Sequence, residues 1–146
     1  MNLFVKAGSH GNPGPAAFAV VFERNGQQLT TTDVRYVGHH TANYATLAGL
    51  VFGLTEALAR GADHVRVFSD LSLLVGVMSG KMKCGGPELQ ELVQQAKELA
   101  GRIGASSFLQ SRIDPKLKKV VDKEIAKNRT ISPFSAPQAA CAEVAG

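Results

Sequence analysis

The chain has few cysteines, no long apolar run and no strong excess of one charge. Cys84 and Cys141 are far apart and share no metal-ligand spacing, which argues against a disulfide framework, a cysteine metal site or a cysteine nucleophile. We expect both thiols to be buried or idle. No apolar run approaches the ~20 residues of a membrane-spanning helix, and the N-terminal segment lacks the features of a signal peptide. A cytoplasmic protein with no membrane partner is therefore expected.

The remaining composition is that of an ordinary globular domain. Its 146 residues are 45% hydrophobic and 19% charged, which suits one domain with a buried core. The net charge of +4 permits a polyanionic partner without requiring one. Three acids lie among a concentration of basic residues near the C-terminal end. The basic residues are Arg112, Lys116, Lys118, Lys119, Lys123, Lys127 and Arg129.

Apolar periodicity and turn signals predict a mixed α/β order of elements. Asn25-Gly26 indicates a tight hairpin, and Thr41 and Gly61 are typical of the start and end of a helix. The predicted helices cover 42–60, 71–78, 87–103 and 115–126. The predicted strands cover 3–7, 18–23, 28–37, 65–68 and 106–112. This order favours a five-stranded mixed sheet, with three antiparallel strands followed by parallel strands, flanked by helices. We predict one domain over 1–129 and a flexible, Pro/Ala-rich tail over 130–146.

One turn carries the most specific signal in the chain. The segment Gly11-Asn12-Pro13-Gly14 lies between the apolar runs 3–5 and 18–22. Together with the hairpin signal, the segment Thr41-Ala42-Asn43, the pair Ser69-Asp70 and the element order, it resembles type 1 ribonuclease H. The resemblance covers about Leu3 to Lys127. It implies a ribonuclease H-like α/β fold and, in active members, phosphodiester hydrolysis with two bound Mg²⁺ ions.

Two of the four acidic positions of that family are altered in this chain. The resemblance places the metal-binding acids at positions 6, 46, 70 and 122. Here those positions hold Lys6, Thr46, Asp70 and Asp122. A lysine offers Mg²⁺ neither a lone pair nor a negative charge, and a threonine offers at most a weak neutral oxygen. We expect the two-metal site to fail and no cofactor to be bound. In the family's sheet order, Lys6 would reach Asp70 and replace the charge of the metal.

Several of these residues have a plainer interpretation. Asp70 is also a candidate helix cap, and Asp122 a candidate member of a surface ion-pair network. His10 could touch a phosphate, although a solvated turn residue is the stronger expectation. His39 and His40 are expected to be loop residues, because adjacent strand histidines point to opposite faces and no third metal ligand is at hand.

The resemblance suggests a nucleic-acid surface, and so does a stripe of lysines at three- and four-residue spacing on the last predicted helix: Lys116, Lys119, Lys123 and Lys127. Asn43 matches a family asparagine that contacts the backbone, whereas Ala42 replaces its companion and weakens the expectation of ribose 2′-hydroxyl recognition. The helical stripe could equally be a solvated face. The candidate nucleic-acid-binding residues are Asn12, Asn43, Lys81, Lys83, Lys116, Lys119 and Lys123.

Three functions are compatible with this sequence. The first is a ribonuclease H-like protein with a degenerate metal site, which binds an RNA/DNA hybrid or duplex without two-metal cleavage. The second is an active hybrid-specific ribonuclease with a rearranged Mg²⁺ or Mn²⁺ site on Asp70 and Asp122. The third is a non-catalytic interaction scaffold, for which a homodimer is one form.

Overall fold

The structure, a computed structural model, describes residues 1–29, 32–83 and 85–129, without the side chain of Arg129. The predicted tail over 130–146 and both cysteines, Cys84 and Cys141, lie outside the described residues. Expectations for them stay predictions.

The described strands form one mixed sheet. The strand order is β3-β2-β1-β5-β6, with β4 also paired to β2. The pairings of β2 with β1, β3 and β4 are antiparallel, whereas β1 with β5 and β5 with β6 are parallel. The predicted mixed α/β class is confirmed, because antiparallel strands precede parallel ones, but the described sheet has six strands and not the predicted five. The strands are β1 (Asn2–Ser9), β2 (Gly14–Arg24), β3 (Gln27–Gln28), β4 (Asp33–His40), β5 (His64–Ser69) and β6 (Ala105–Gln110).

The third predicted strand, over 28–37, is wrong in its extent. The structure divides this segment into the two-residue β3 and the longer β4, which continues to His40. Glu23 lies opposite Gln28, but Val20 lies opposite Asp33. The register therefore shifts by two residues between the paired segments, which one continuous ladder cannot accommodate. His39 and His40 are thus strand residues, and their prediction as loop residues is also wrong.

Four helices complete the described fold. Thr41 begins α1 as predicted, since its Oγ1 accepts a hydrogen bond of 3.1 Å from the Tyr44 N–H. Gly61, with φ of 76°, follows its end. None of the helices in the described part of the chain is both long and apolar enough to cross a membrane. The helices are α1 (Ala42–Ala59), α2 (Ser72–Met78), α3 (Pro87–Ile103) and α4 (Pro115–Arg129).

Strand alternation divides the core between the two faces of the sheet. Leu3 and Val5 of β1 face α1, where a Cβ added at Gly53 would lie 2.6 Å from Leu3 Cδ2. Gly8 faces α4 instead, since a Cβ added there would lie 3.6 Å from Val121 Cγ1. Side chains of β1 at even positions therefore point toward the α4 side. This alternation places Lys6 on the α4 face of the sheet.

Candidate functional site

Lys6 and Asp70 form an ion pair at the centre of the predicted site. β5 runs parallel to β1 with Val5 opposite Ser69, so Lys6 and Asp70, the residue that directly follows β5, come next to each other. Lys6 Nζ donates to Asp70 Oδ2 over 2.6 Å. The Lys6 side chain is 19% exposed, and that of Asp70 is 42% exposed. The predicted contact between the two residues is confirmed.

Asp70 does not cap the helix that follows it. The residue at the cap position of α2 is Leu71, which makes no side-chain capping bond. Ser69 Oγ accepts the Leu71 N–H at 3.1 Å instead. The interpretation of Asp70 as a helix cap is therefore wrong, and the contact seen for its carboxylate is with Lys6.

The second surviving acid, Asp122 of α4, is also paired. His10 Nε2 donates to Asp122 Oδ1 at 3.1 Å, and Lys118 Nζ donates to Oδ2 at 3.1 Å. Burial, the largest influence, raises the pKa of Asp122, but the hydrogen bonds from His10 and Lys118 and their charges outweigh it and lower the pKa below 3.8. The ion-pair interpretation of Asp122 is confirmed. His10 is half-buried against this carboxylate, so the expectation of a solvated turn residue is wrong.

Thr46, at the remaining one of the four positions, lies near the start of α1. It is 5% exposed within α1, and its hydroxyl donates to the carbonyl of Ala42 at 2.9 Å. Among the described residues, the structure does not bring Thr46 into the hydrogen bonds that hold Lys6, Asp70 and Asp122. The described residues also contain no group of three or more His, Cys, Asp or Glu side chains placed to hold a metal ion.

The two predicted asparagines lie at one edge of this site. The exposed Asn12 accepts the Ala42 N–H through Oδ1 at 3.3 Å, which joins its turn to the start of α1. Asn43 is half-buried in the first turn of the same helix. The structure thus brings the Asn12 turn and the Asn43 segment together, as a shared binding surface would require.

The predicted lysines occupy two further regions. Lys81 and Lys83 are exposed in the segment after α2. On α4, buried Leu117, Val121 and Ile125 face the sheet. The lysine stripe lies on the other, exposed side of this helix and consists of Lys116, Lys119, Lys123 and Lys127. Contact with a polyanion and simple solvation are both compatible with this placement.

A cleft beside the Asn12 turn was not anticipated from the sequence. In it the rings of His40 and Tyr44 stack with centroids 3.7 Å apart and planes 10° from parallel. Burial, the largest influence, lowers the pKa of His40 below 6.5, while the charge of Glu88 raises it and that of His39 lowers it. The cavity has a volume of about 530 Å³ and is lined by Pro13, His39, His40, Thr41, Tyr44 and the segment 85–89.

Comparison with known proteins decides the family. A model of the family described as "Reverse transcriptase-like" matches residues 4–111. The chain belongs to this family. The predicted ribonuclease H relationship is confirmed, because solved structures similar to this reverse transcriptase-like domain are ribonuclease H domains. The match ends before α4, so Asp122 and the lysine stripe lie beyond it.

Relatives of this reverse transcriptase-like domain include a mycobacterial protein. The chain is 38% identical over 105 residues to the "Bifunctional protein Rv2228c" of Mycobacterium tuberculosis (strain ATCC 25618 / H37Rv). The match covers 70% of this chain and 29% of that protein, so the chain spans less than a third of its relative. The N-terminal RNase H domain of Rv2228c, solved as a fusion with maltose binding protein, is 28% identical with a TM-score of 0.76. That match covers 88% of this chain and 99% of the other.

Two further structures have the same fold. LC11-RNase H1, solved in complex with an RNA/DNA hybrid, is 25% identical with a TM-score of 0.79, covering 88% of this chain and 99% of that one. RNase H1 of Halobacterium salinarum NRC-1 is 23% identical with a TM-score of 0.74, covering 87% and 97%, and supports the fold alone.

Proposed function

We propose that this domain binds an RNA/DNA hybrid or a nucleic-acid duplex and does not cleave it by a two-metal mechanism. The observation that carries the proposal is the ion pair between Lys6 and Asp70. The Lys6 ammonium neutralises the Asp70 carboxylate, which a metal would need as a ligand. Lys6 also stands at a position where the family has a second carboxylate.

The donor chemistry of the site does not fit a pair of Mg²⁺ ions. Mg²⁺ requires oxygen ligands, and anionic carboxylates offset the cost of removing its water. Lys6 supplies a positive charge 2.6 Å from Asp70 Oδ2, and Thr46 is a neutral hydroxyl already bonded within α1. Because the site lacks two negative charges and has gained one positive charge, repulsion by Lys6 offsets part of the attraction of a divalent ion to Asp70, and the attraction that remains is too weak to remove the water of the ion.

The two surviving acids also argue against a rearranged metal site. A one-metal nuclease on Asp70 and Asp122 would need both carboxylates as ligands. Asp70 is held by Lys6, and Asp122 is held by Lys118 and His10. A metal would have to displace all three partners before both carboxylates could bind it fully. We therefore infer that the site is held together by ion pairs in place of metal ions.

The surface around the site supports retained nucleic-acid binding. Asn12 and Asn43 lie together at the start of α1, and the α4 lysine stripe is exposed. A net charge of +4 favours the approach of a polyanion. A relative of the same fold, LC11-RNase H1, has been solved with an RNA/DNA hybrid. Binding without cleavage is the function that these features support together.

Fluorescence anisotropy with labelled hybrid, duplex DNA, duplex RNA and single strands tests the proposal. Affinity for a hybrid or duplex should fall steeply between 50 and 200 mM salt, because phosphate contacts release counterions. The double variant Lys119→Gln/Lys123→Gln should make log Kd less dependent on log salt by up to ~1.8, about 0.9 for each lost phosphate contact. Arg102→Gln on α3, which removes an exposed cation already paired with Glu98, is the matched control and should change the slope little.

Cleavage assays with Mg²⁺ and Mn²⁺ complete the test, and no cleavage of a hybrid is expected. Metal-dependent cleavage that disappears in Asp70→Asn would establish the rearranged nuclease instead. Failure to bind any nucleic acid at low salt would favour the interaction scaffold.

A further inference from the structure

The cleft beside the Asn12 turn has the size and shape of a site for one flat ring. Its volume of about 530 Å³ lies within the range of small-molecule sites. Four separate parts of the chain form its walls: the Asn12-Pro13 turn, the end of β4, the start of α1 and the start of α3. Because three of these walls are formed by a strand and two helices, the shape of the cleft is set by the folded domain.

The aromatic pair supplies a planar surface in this cleft. Tyr44 is 6% exposed and fixed within α1, and His40 stacks on it while remaining half-buried. Burial lowers the pKa of His40, which favours the uncharged form of its imidazole. An uncharged ring pair favours a neutral heteroaromatic ligand by stacking, which contributes about 1–3 kcal/mol for each base in nucleic-acid complexes.

The charge of the cleft favours a base over a phosphate. Besides the two histidines, the only described residue lining the cleft with a side chain that is charged near neutral pH is Glu88, an acid in the first turn of α3. A carboxylate repels phosphate but accepts hydrogen bonds from an amino group.

We propose that this cleft binds one unpaired nucleobase of the nucleic acid that the domain holds. The inference rests on the proposed function, because the base would belong to a bound nucleic acid. The cleft adjoins the contact between Asn12 and Ala42, at the edge of the proposed nucleic-acid surface. The base stacks on the face of His40 that is turned away from Tyr44, and an exocyclic amino group donates to Glu88. Adenine, cytosine and guanine carry such a group, whereas uracil and thymine do not. The domain should therefore prefer hybrids in which the unpaired base beside the paired region is adenine, cytosine or guanine over those in which it is uracil or thymine.

A 2-aminopurine probe tests this inference directly. Hybrids that carry one unpaired 2-aminopurine at an overhang should bind at least about fivefold more tightly than fully paired hybrids. This factor corresponds to ~1 kcal/mol, the lower end of the range for stacking of one base. The fluorescence of the probe should fall on binding, because stacking quenches it. An overhanging uracil should give a smaller gain than an adenine.

Two pairs of variants separate the contacts. Glu88→Ala should remove the preference for adenine over uracil, whereas Glu91→Ala, an exposed acid on the same helix outside the cleft, should keep it. His40→Leu should abolish the quenching, and His40→Phe should retain it because the ring is kept. If His40→Leu does not fold, the Glu88 and Glu91 pair still decides the question.

The outcomes distinguish this inference from the proposed function. Tight, salt-dependent binding of paired hybrids with no gain from an unpaired base would overturn the inference and leave the proposed function in place. Absence of any nucleic-acid binding would overturn both. Quenching that persists in His40→Leu and Glu88→Ala would place the base elsewhere and would also overturn the inference.

Discussion

Restoring the two missing carboxylates should convert the ion-pair site into a metal site. The perturbation is the double variant Lys6→Asp/Thr46→Glu. Lys6 Nζ lies 2.6 Å from Asp70 Oδ2, so a metal bound by Asp70 would lie within roughly 5 Å of the position of that ammonium. The variant removes a positive charge there and adds a negative one at each altered position.

The gain at position 6 alone can be estimated from Coulomb's law. Two unit charges ~5 Å apart interact by about 0.8 kcal/mol in water and about 3.3 kcal/mol at an effective dielectric constant near 20. Changing +1 to −1 beside a divalent ion amounts to four such interactions, or between ~3 and ~13 kcal/mol. The Asp70 side chain is 42% exposed, so the lower value applies. It corresponds to an increase in ion affinity on the order of a hundredfold.

The substitution at position 46 should also make the free energy of unfolding depend on the bound ion. Thr46 is 5% exposed, so a glutamate there is buried without a partner until an ion binds. The metal-free variant should lose roughly 1–3 kcal/mol of unfolding free energy, which Mn²⁺ should restore. Calorimetric titration with Mg²⁺ and Mn²⁺, together with thermal melts with and without the ion, measures both effects.

A neutral variant of the same shape is the matched control. Lys6→Asn/Thr46→Gln makes equal changes in size without the carboxylates and should bind no ion. If the charged variant folds but shows neither heat of binding nor an ion-dependent rise in Tm, the assignment of positions 6 and 46 to the metal site is refuted.

Further predictions concern packing and pH. Gly53→Ala should destabilise the fold by about 1–3 kcal/mol because its Cβ would meet Leu3 at 2.6 Å, whereas Gly101→Ala, with open space around it, should stabilise α3 by up to ~1 kcal/mol in denaturant titrations. The pKa of His40 is lower in the folded protein than in the unfolded chain, so the unfolded chain binds a proton first as the pH drops. The free energy of unfolding should therefore fall below about pH 6.5. His40→Phe should make the free energy of unfolding less dependent on pH in this range. The lowered pKa of Asp122 contributes stability that is present above about pH 3.8 and is lost as the pH falls through the pKa of the folded protein. Asp122→Asn should therefore reduce the loss of stability below pH 4.

Most of the fold could be predicted because local signals agreed with the tertiary structure. The Thr41 cap, the helical spacing of α1 and the hairpin at Asn25-Gly26 are all encoded within a few residues. The third strand was misjudged because its division into β3 and β4 depends on register against β2, which is a long-range property. The same dependence hid the strand position of His39 and His40.

The site was predictable only where the family order of strands supplied the neighbours. Lys6 and Asp70 adjoin because β1 and β5 are parallel partners, and that order was implied by the resemblance. The contact between His10 and Asp122 joins residues 112 positions apart, and neither residue type indicates the other. The cleft with Glu88 was missed for the same reason, because its walls come from four segments that meet only in the folded chain.

The most direct test of the central claim is a crystal structure of the unaltered protein soaked in Mn²⁺, read from the anomalous signal of manganese. We predict no manganese between Asp70 and Asp122, with Lys6 Nζ still bonded to Asp70. Two manganese ions within about 4 Å of each other, coordinated by these carboxylates, would contradict the account.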